Sequence, residues 1–146
     1  MNSTPAILPN PPLTTVVRLL AAAQLPTEDL TAAHCQHFFY AESSGTATGL
    51  VGLELFGDVA LLRSLVVAPQ RRGMGEGKAL LQCAEDHARA SGVHSLYLLT
   101  TTAERFFAKH GYRRIPRDSA PACIRNTREF AGICPASSAF MIRDLS

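Results

Sequence analysis

The sequence predicts an α/β domain: one mixed, twisted sheet of about six to seven strands with helices on both faces. Three observations carry that prediction. Residues 37–69 alternate short apolar runs with turn signals, which is the pattern of an antiparallel meander. Residues 59–78, VALLRSLVVAPQRRGMGEGK, read strand, basic glycine-rich turn, helix. Residues 95–100, SLYLLT, are nearly all apolar, as a buried strand paired in parallel with its predecessor should be.

Residues 1–12 carry four prolines and one apolar pair, Ile7-Leu8, and read as a loose lead or a short edge strand. Val16, Val17, Leu20 and Ala23 recur at helical spacing, so 14–24 is an amphipathic helix. Thr27 followed by acids looks like the N-cap of a second, short helix ending near His34. Strands follow at 37–42 and 48–56, with Ser43-Ser44-Gly45 as the turn between them. Gly57-Asp58 turns the chain into the strand that closes at Pro69.

The helix over 75–90 puts Gly77, Leu80, Leu81, Ala84 and Ala88 on one face and Gln82, Glu85, Asp86 and Arg89 on the other. Ser91-Gly92 stops it. After the strand at 95–100 a helix covers 102–110, a short strand 113–115, and a helix opened by Pro121 runs through 121–130. A last strand spans about 138–143.

One domain over residues 1–146 is the expected organisation, long enough for a core without staples. No apolar run approaches the roughly 20 residues of a membrane span, and no leader pattern opens the chain. A net charge of +2 makes no case for nucleic acid. Cys35, Cys83, Cys123 and Cys134 are widely spaced, without a paired metal pattern, and read as reduced thiols in a cytoplasmic protein. The expectation is no metal, no membrane and no nucleic acid.

The turn at 69–78 carries the chemistry. A strand, a glycine-rich turn and a helix leave the first helical N–H groups unpartnered around one spot, where the helix dipole and Arg71 and Arg72 add positive potential. That suits a phosphate or pyrophosphate, although glycine-rich βα turns also occur with nothing bound. No Gly-Lys-Ser/Thr stands at the P-loop offset, and Gly73-x-Gly75-x-Gly77 has the wrong spacing for a dinucleotide fingerprint. Arg72-Gly73-Met74-Gly75-Glu76-Gly77, three residues after Pro69, instead resembles the acyl-CoA pyrophosphate loop of the GNAT superfamily of N-acetyltransferases.

The order of elements is similar to that family over about residues 14–143. Leu99-Thr100-Thr101 with Phe106-Phe107-Ala108-Lys109-His110-Gly111-Tyr112 resembles a segment of bacterial N-acetylglutamate synthases. The layout also resembles small stand-alone members that accompany arsenic-resistance operons. This likeness implies acetyl-CoA as acyl donor and a small-molecule amine as acceptor, an amino acid or an analogue of one. It further implies a possible homodimer.

By the same resemblance, backbone groups of Leu65, Val66 and Val67 hold the pantetheine arm and thioester, with the amide near Val67 as oxyanion donor. The loop amides of Arg72, Gly73, Met74, Gly75, Glu76, Gly77 and Lys78 hold the pyrophosphate, and Arg71, Arg72 and Lys78 screen its charge. Thr100 and Thr101 either bond the cofactor arm or cap the strand end. Two departures stand out. Phe107 occupies the position of the tyrosine that usually protonates the departing sulfur, and Glu76 replaces an aliphatic loop residue. Tyr112 reads as a core residue.

Read from the residues, Glu54 is either a solvated strand carboxylate or the general base, with Asp58 second. Arg63 interrupts an apolar central strand, which calls for an anionic partner. It is either paired with Glu54 or Asp58, or, beside Ser64, a clamp on a substrate carboxylate. Arg125 and Arg128 are second-rank candidates for that clamp. The rival functions are a non-catalytic acyl-CoA-binding module and a metalloid-binding protein using Cys123 and Cys134.

Overall fold

Seven strands form one sheet in the order β1-β2-β3-β4-β5-β7-β6 in the computed structural model, which describes residues 6–25, 27, 30–71, 73, 75–127, 130–131 and 138–145. The strands are β1 (Ala6–Pro9), β2 (Phe38–Ser43), β3 (Thr46–Phe56), β4 (Val59–Val67), β5 (Ser95–Thr100), β6 (Arg113–Arg114) and β7 (Ala139–Asp144). The helices are α1 (Leu13–Ala22), α2 (Glu76–Ala90), α3 (Glu104–Lys109) and α4 (Ala122–Arg125). Every pairing is antiparallel except β4 with β5. That single parallel pair is joined by α2, as a crossover requires.

Burial sorts the helices onto the two faces. Alternation along β4 sends Leu62 to one side and Leu61 to the other. Leu62, Leu96 and Leu98 meet Leu80, Leu81 and Ala84 of α2 and Phe107 of α3. Leu61, Tyr97 and Phe140 meet Ile124 of α4, with the Tyr97 and Phe140 rings stacked at 5.4 Å. Val16, Leu19 and Leu20 of α1 cover Phe38 and Leu50 on the face opposite α2. Val17, placed inward by its spacing, is instead 37% exposed.

The short helix expected from Thr27 to His34 is absent among the described residues of that stretch. A 3₁₀ turn, His34–His37, stands at its end. Glu85 is the other correction: assigned to the polar face of α2, it is 2% exposed. Its carboxylate accepts hydrogen bonds from the Tyr112 hydroxyl and from Arg143 Nη1, both at 2.8 Å. Those donors lie 27 and 58 residues away along the chain, so local pattern cannot reveal them.

Gly52 is a packing glycine. A Cβ there would stand 2.3 Å from a ring atom of Phe38, itself fully buried. Gly52→Ala should therefore cost about 1–3 kcal/mol, read as a lower midpoint in denaturant with an unchanged slope.

His37 and His87 sit with ring centroids 5.8 Å apart, and His37 Nδ1 and His87 Nε2 are buried without a hydrogen-bond partner among the described residues. Burial first, and His37 second, hold the His87 imidazole below its ordinary pKa. The unfolded chain therefore takes up this proton more readily than the folded one. The associated stability is intact above about pH 6.5 and is lost as pH falls through the lower folded-state value. A thermal-melt series from about pH 7.5 to about pH 5.5 should show declining midpoints, with a shallower decline in His87→Gln.

Candidate active site

The β4–β5 ladder runs from Val59↔Ser95 to Leu62↔Leu98 and stops. Past that point the strands follow different neighbours. β4 continues against β3 through Gly49↔Val67, while β5 continues against β7 through Thr100↔Ala139. The two strand ends splay, and a cleft of about 710 Å³ opens between them. That volume lies in the range of small-molecule sites.

A bulge in β4 helps open it. Leu50 faces Val66 while Gly52 faces Arg63, so two β3 steps match three on β4. The extra residue is absorbed at Ser64, which takes a left-handed φ of 63°. Such bulges bend a strand and re-aim its side chains.

The cleft passes through the sheet. Val67 of β4, Gly77 of α2 and Phe106 of α3 line it on one face, where a Cβ on Gly77 would lie 3.6 Å from Phe106. Ala23, Gln24 and Leu25, at the end of α1, line it on the other. Arg63, Ser64, Leu65, Val66, Val67, Gly77, Thr100 and Thr101 are thus brought to one cavity. Arg63 is the sole charged residue among the described lining, which includes no carboxylate.

Gly73 and Gly75 have φ of 79° and 81°, and Gly75 is the N-cap of α2. Side chains rarely adopt that region, so the turn from Pro69 into α2 depends on these two glycines. The Gly75 carbonyl accepts the first helical bond, from Ala79 N–H at 3.0 Å. The preceding amides of the first turn have no helical acceptor.

Glu76 explains its own departure from an aliphatic residue. It opens α2 yet is 1% exposed. Thr48 Oγ1 donates to its Oε1 at 2.7 Å, and Arg71 Nε donates to its Oε2 at 3.0 Å. The carboxylate also sits at the positive end of the α2 dipole. Space for it comes from Gly49, where a Cβ would stand 2.9 Å from Glu76 Oε1. Arg71, expected to screen a pyrophosphate, is committed through Nε to this anchor. Lys78 is exposed in the first turn of α2, and Arg72 and Met74 lie outside the described residues.

Arg63 has the anionic partner that its burial demands. Its side chain is fully covered, Nη1 donates to Glu54 Oε2 at 2.8 Å, and Nε donates to Ser64 Oγ at 3.1 Å. Two of its nitrogens are therefore taken by the protein, in line with the ion pair to Glu54 that the sequence left open beside a substrate clamp. Glu54 is held by the same bond and is not among the cleft-lining residues. Arg125 is exposed on α4 away from the described lining, and Arg128 lies outside the described residues.

Thr100 Oγ1 accepts the Ala103 amide at 3.0 Å and so caps the approach to α3, while Thr101 is exposed at the cleft mouth. Phe107 lines the cleft and has no proton to give. Tyr112 does not line it. Burial, then the Glu85 charge and hydrogen bond, push its phenol far above the ordinary range. Tyr112→Phe should accordingly lower stability by about 1–2 kcal/mol and leave any cleft chemistry untouched, which paired melts and rate measurements would check.

Ser138 escaped the sequence reading. It is 3% exposed, lines the cleft, and its Oγ has no partner among the described residues. A lone serine ahead of a strand carries no local signal. Cys35, Cys83 and Cys123 are free thiols, Cys134 lies outside the described residues, and no cluster of three metal-ligating side chains occurs among the described residues. No helix among them is long and apolar enough to cross a membrane.

Comparison with known proteins agrees with this geometry. Residues 11–112 match the family model described as acetyltransferase (GNAT) family. An amino-acid acetyltransferase of Ralstonia nicotianae is 40% identical over 63 residues, covering 43% of this chain and 14% of the relative. One of Neisseria meningitidis is 31% identical over 94 residues, covering 63% and 22%. The chain thus spans a minor part of the length of these relatives.

N-acetylglutamate synthase of Neisseria gonorrhoeae, solved with coenzyme A and N-acetyl-glutamate, superposes with a TM-score of 0.82 at 23% identity, over 100% of this chain and 36% of that one. A Mycobacterium tuberculosis protein solved with CoA gives 0.80 at 20% identity, over 97% and 100%. At these identities the structures establish a common fold.

Proposed function

The chain belongs to the acetyltransferase (GNAT) family, and from that premise we propose that it transfers an acetyl group from acetyl-CoA to the amine of an amino acid or an amino-acid analogue. The observation that carries the reading is the parting of β4 and β5 after Leu62 and Leu98, beside the glycine turn that starts α2. The parted edge of β4 offers main-chain groups to an extended amide-bearing arm, and the first-turn amides of α2 suit its pyrophosphate. Gly77 presents no side chain between them. These residues fit the donor.

Bound there, acetyl-CoA supplies an acetyl activated as a thioester. The protein's part is then orientation and electrostatics. Main-chain groups of Leu65, Val66 and Val67 would hold the thioester, with the Val67 amide as hydrogen-bond donor to its carbonyl oxygen. Glu54 positions Arg63, and Arg63 holds Ser64 and the bulge that keeps the strands apart. An amino-acid acceptor is supported by the relatives named amino-acid acetyltransferases. An acceptor with several cationic amines would find no carboxylate among the described lining residues to meet it.

With no carboxylate among the described lining residues and Phe107 at the proton-donor position, the amine in this reading arrives neutral or loses its proton to water. The acceptor kcat/KM should therefore climb from neutral to alkaline pH without levelling at a carboxylate or imidazole pKa. Thiol release from acetyl-CoA against pH tests this. A plateau beginning near neutrality would assign a protein base instead. A role toward arsenic- or phosphorus-containing glutamate analogues falls within the same acceptor class and is read from the same assay.

A further inference from the structure

Tyr40 and Glu42 are two apart on β2, so strand alternation places both on one face of the sheet. That face is the one α1 covers, because Tyr40 packs with Val16, Leu19 and Leu20. Thr15 and Arg18 are three apart on α1 and stand side by side on the helix. Between these four residues and Thr46, at the start of β3, lies a hollow of about 380 Å³. It shares no lining residue with the β4–β5 cleft.

The β2–β3 ladder leaves the room. Ala41 faces Gly49 whereas Glu42 faces Ala47, so one β2 step matches two on β3 and Thr48 is the extra residue. Thr48 turns to the opposite face, where its hydroxyl bonds Glu76 of α2. The residue left across from Glu42 is an alanine, with no side chain long enough to meet the carboxylate.

Arg18 and Glu42 are the charged residues of the described lining. Arg18 is exposed and Glu42 half-buried, and neither forms an ion pair or side-chain hydrogen bond among the described residues. A hollow walled by one positive and one negative group complements a molecule carrying one charge of each sign. Tyr40, Thr15 and Thr46 add neutral hydroxyls. We propose that this hollow is a second small-molecule site, for a free amino acid with an uncharged side chain. Arg18 takes its carboxylate and Glu42 its ammonium by charge-assisted hydrogen bonds. An amine held by Glu42 is protonated and cannot attack a thioester, so the site binds its ligand without acylating it. The proposal does not rest on the acetyltransferase reading.

The test is an amide-resolved NMR titration of the full chain, without acetyl-CoA, using L-alanine, N-acetyl-L-alanine and L-alaninamide. The two derivatives each lack one of the required charges. L-Alanine should give saturable shifts centred on Thr15, Arg18, Glu42 and Thr46, and neither derivative should reproduce them. Arg18→Ala and Glu42→Ala should each weaken L-alanine about tenfold and keep the wild-type Tm, since neither residue has a partner to lose. Absence of a saturable shift overturns the proposal. So do shifts centred instead on Leu65, Val66 and Gly77, an equal response to either derivative, or wild-type affinity in both variants. Each of these outcomes leaves acetyl transfer in the cleft untouched.

Discussion

Replacing Glu76 with alanine is expected to cost about 3 kcal/mol of stability and to weaken acetyl-CoA binding about tenfold or more. The carboxylate is 1% exposed and bridges Thr48 of β3 to Arg71 of the turn. Its removal leaves a cavity beside Gly49, drops the Thr48 bond, and frees Arg71 from the position that fixes the turn. Arg71 itself is 18% exposed, so its released charge finds water, which keeps the cost at the lower end for a broken buried pair. Glu76→Gln keeps one hydrogen bond to each side and should fall between. Chemical denaturation and calorimetric titration with acetyl-CoA separate the two effects. A Glu76→Ala protein that loses stability but binds acetyl-CoA as wild type does would show that the turn is set by its glycines alone.

Arg63→Ala is expected to lower stability by about 3–5 kcal/mol and to abolish acetyl transfer. The guanidinium is fully covered, and its partner Glu54 is only 16% exposed on its side chain. Deleting the cation leaves a carboxylate poorly hydrated inside the wall, and it releases Ser64 from the contact that supports its left-handed backbone. The β4 bulge should then relax and the strand ends draw together. Glu54→Gln keeps a hydrogen-bond acceptor for Arg63 and should retain measurable transfer. Equal loss in Glu54→Gln and Arg63→Ala, with both proteins folded, would instead place Glu54 in the chemistry.

Much of this was legible in the chain. The apolar run ending at Pro69, the glycines after it and the all-apolar SLYLLT fix a parallel pair joined by a helix, because those signals are local. The cleft residues on β4 follow once the strand and the loop are placed. What the sequence hides is pairing at a distance. Glu85 looks like a solvated helix residue because its partners, Tyr112 and Arg143, come from elsewhere in the chain. Glu76 looks like an anomaly in a phosphate loop because the Thr48 hydroxyl and the space at Gly49 belong to β3. Arg63 was open between an ion pair and a substrate clamp, and only the register of β3 on β4 brings Glu54 to it. Ser138 carries no composition signal; it is known by a buried oxygen with no partner among the described residues.

The central claim is acetyl transfer to the amine of an amino acid, and thiol release from acetyl-CoA measures it most directly. The acceptor panel should include glutamate, its phosphinic and arsenic analogues, other amino acids, a polyamine and an aminoglycoside. Turnover is expected with amino-acid-like acceptors and none with the polyamine. No turnover on any amine, from a protein whose melting point acetyl-CoA still raises, would contradict it and leave an acyl-CoA-binding module.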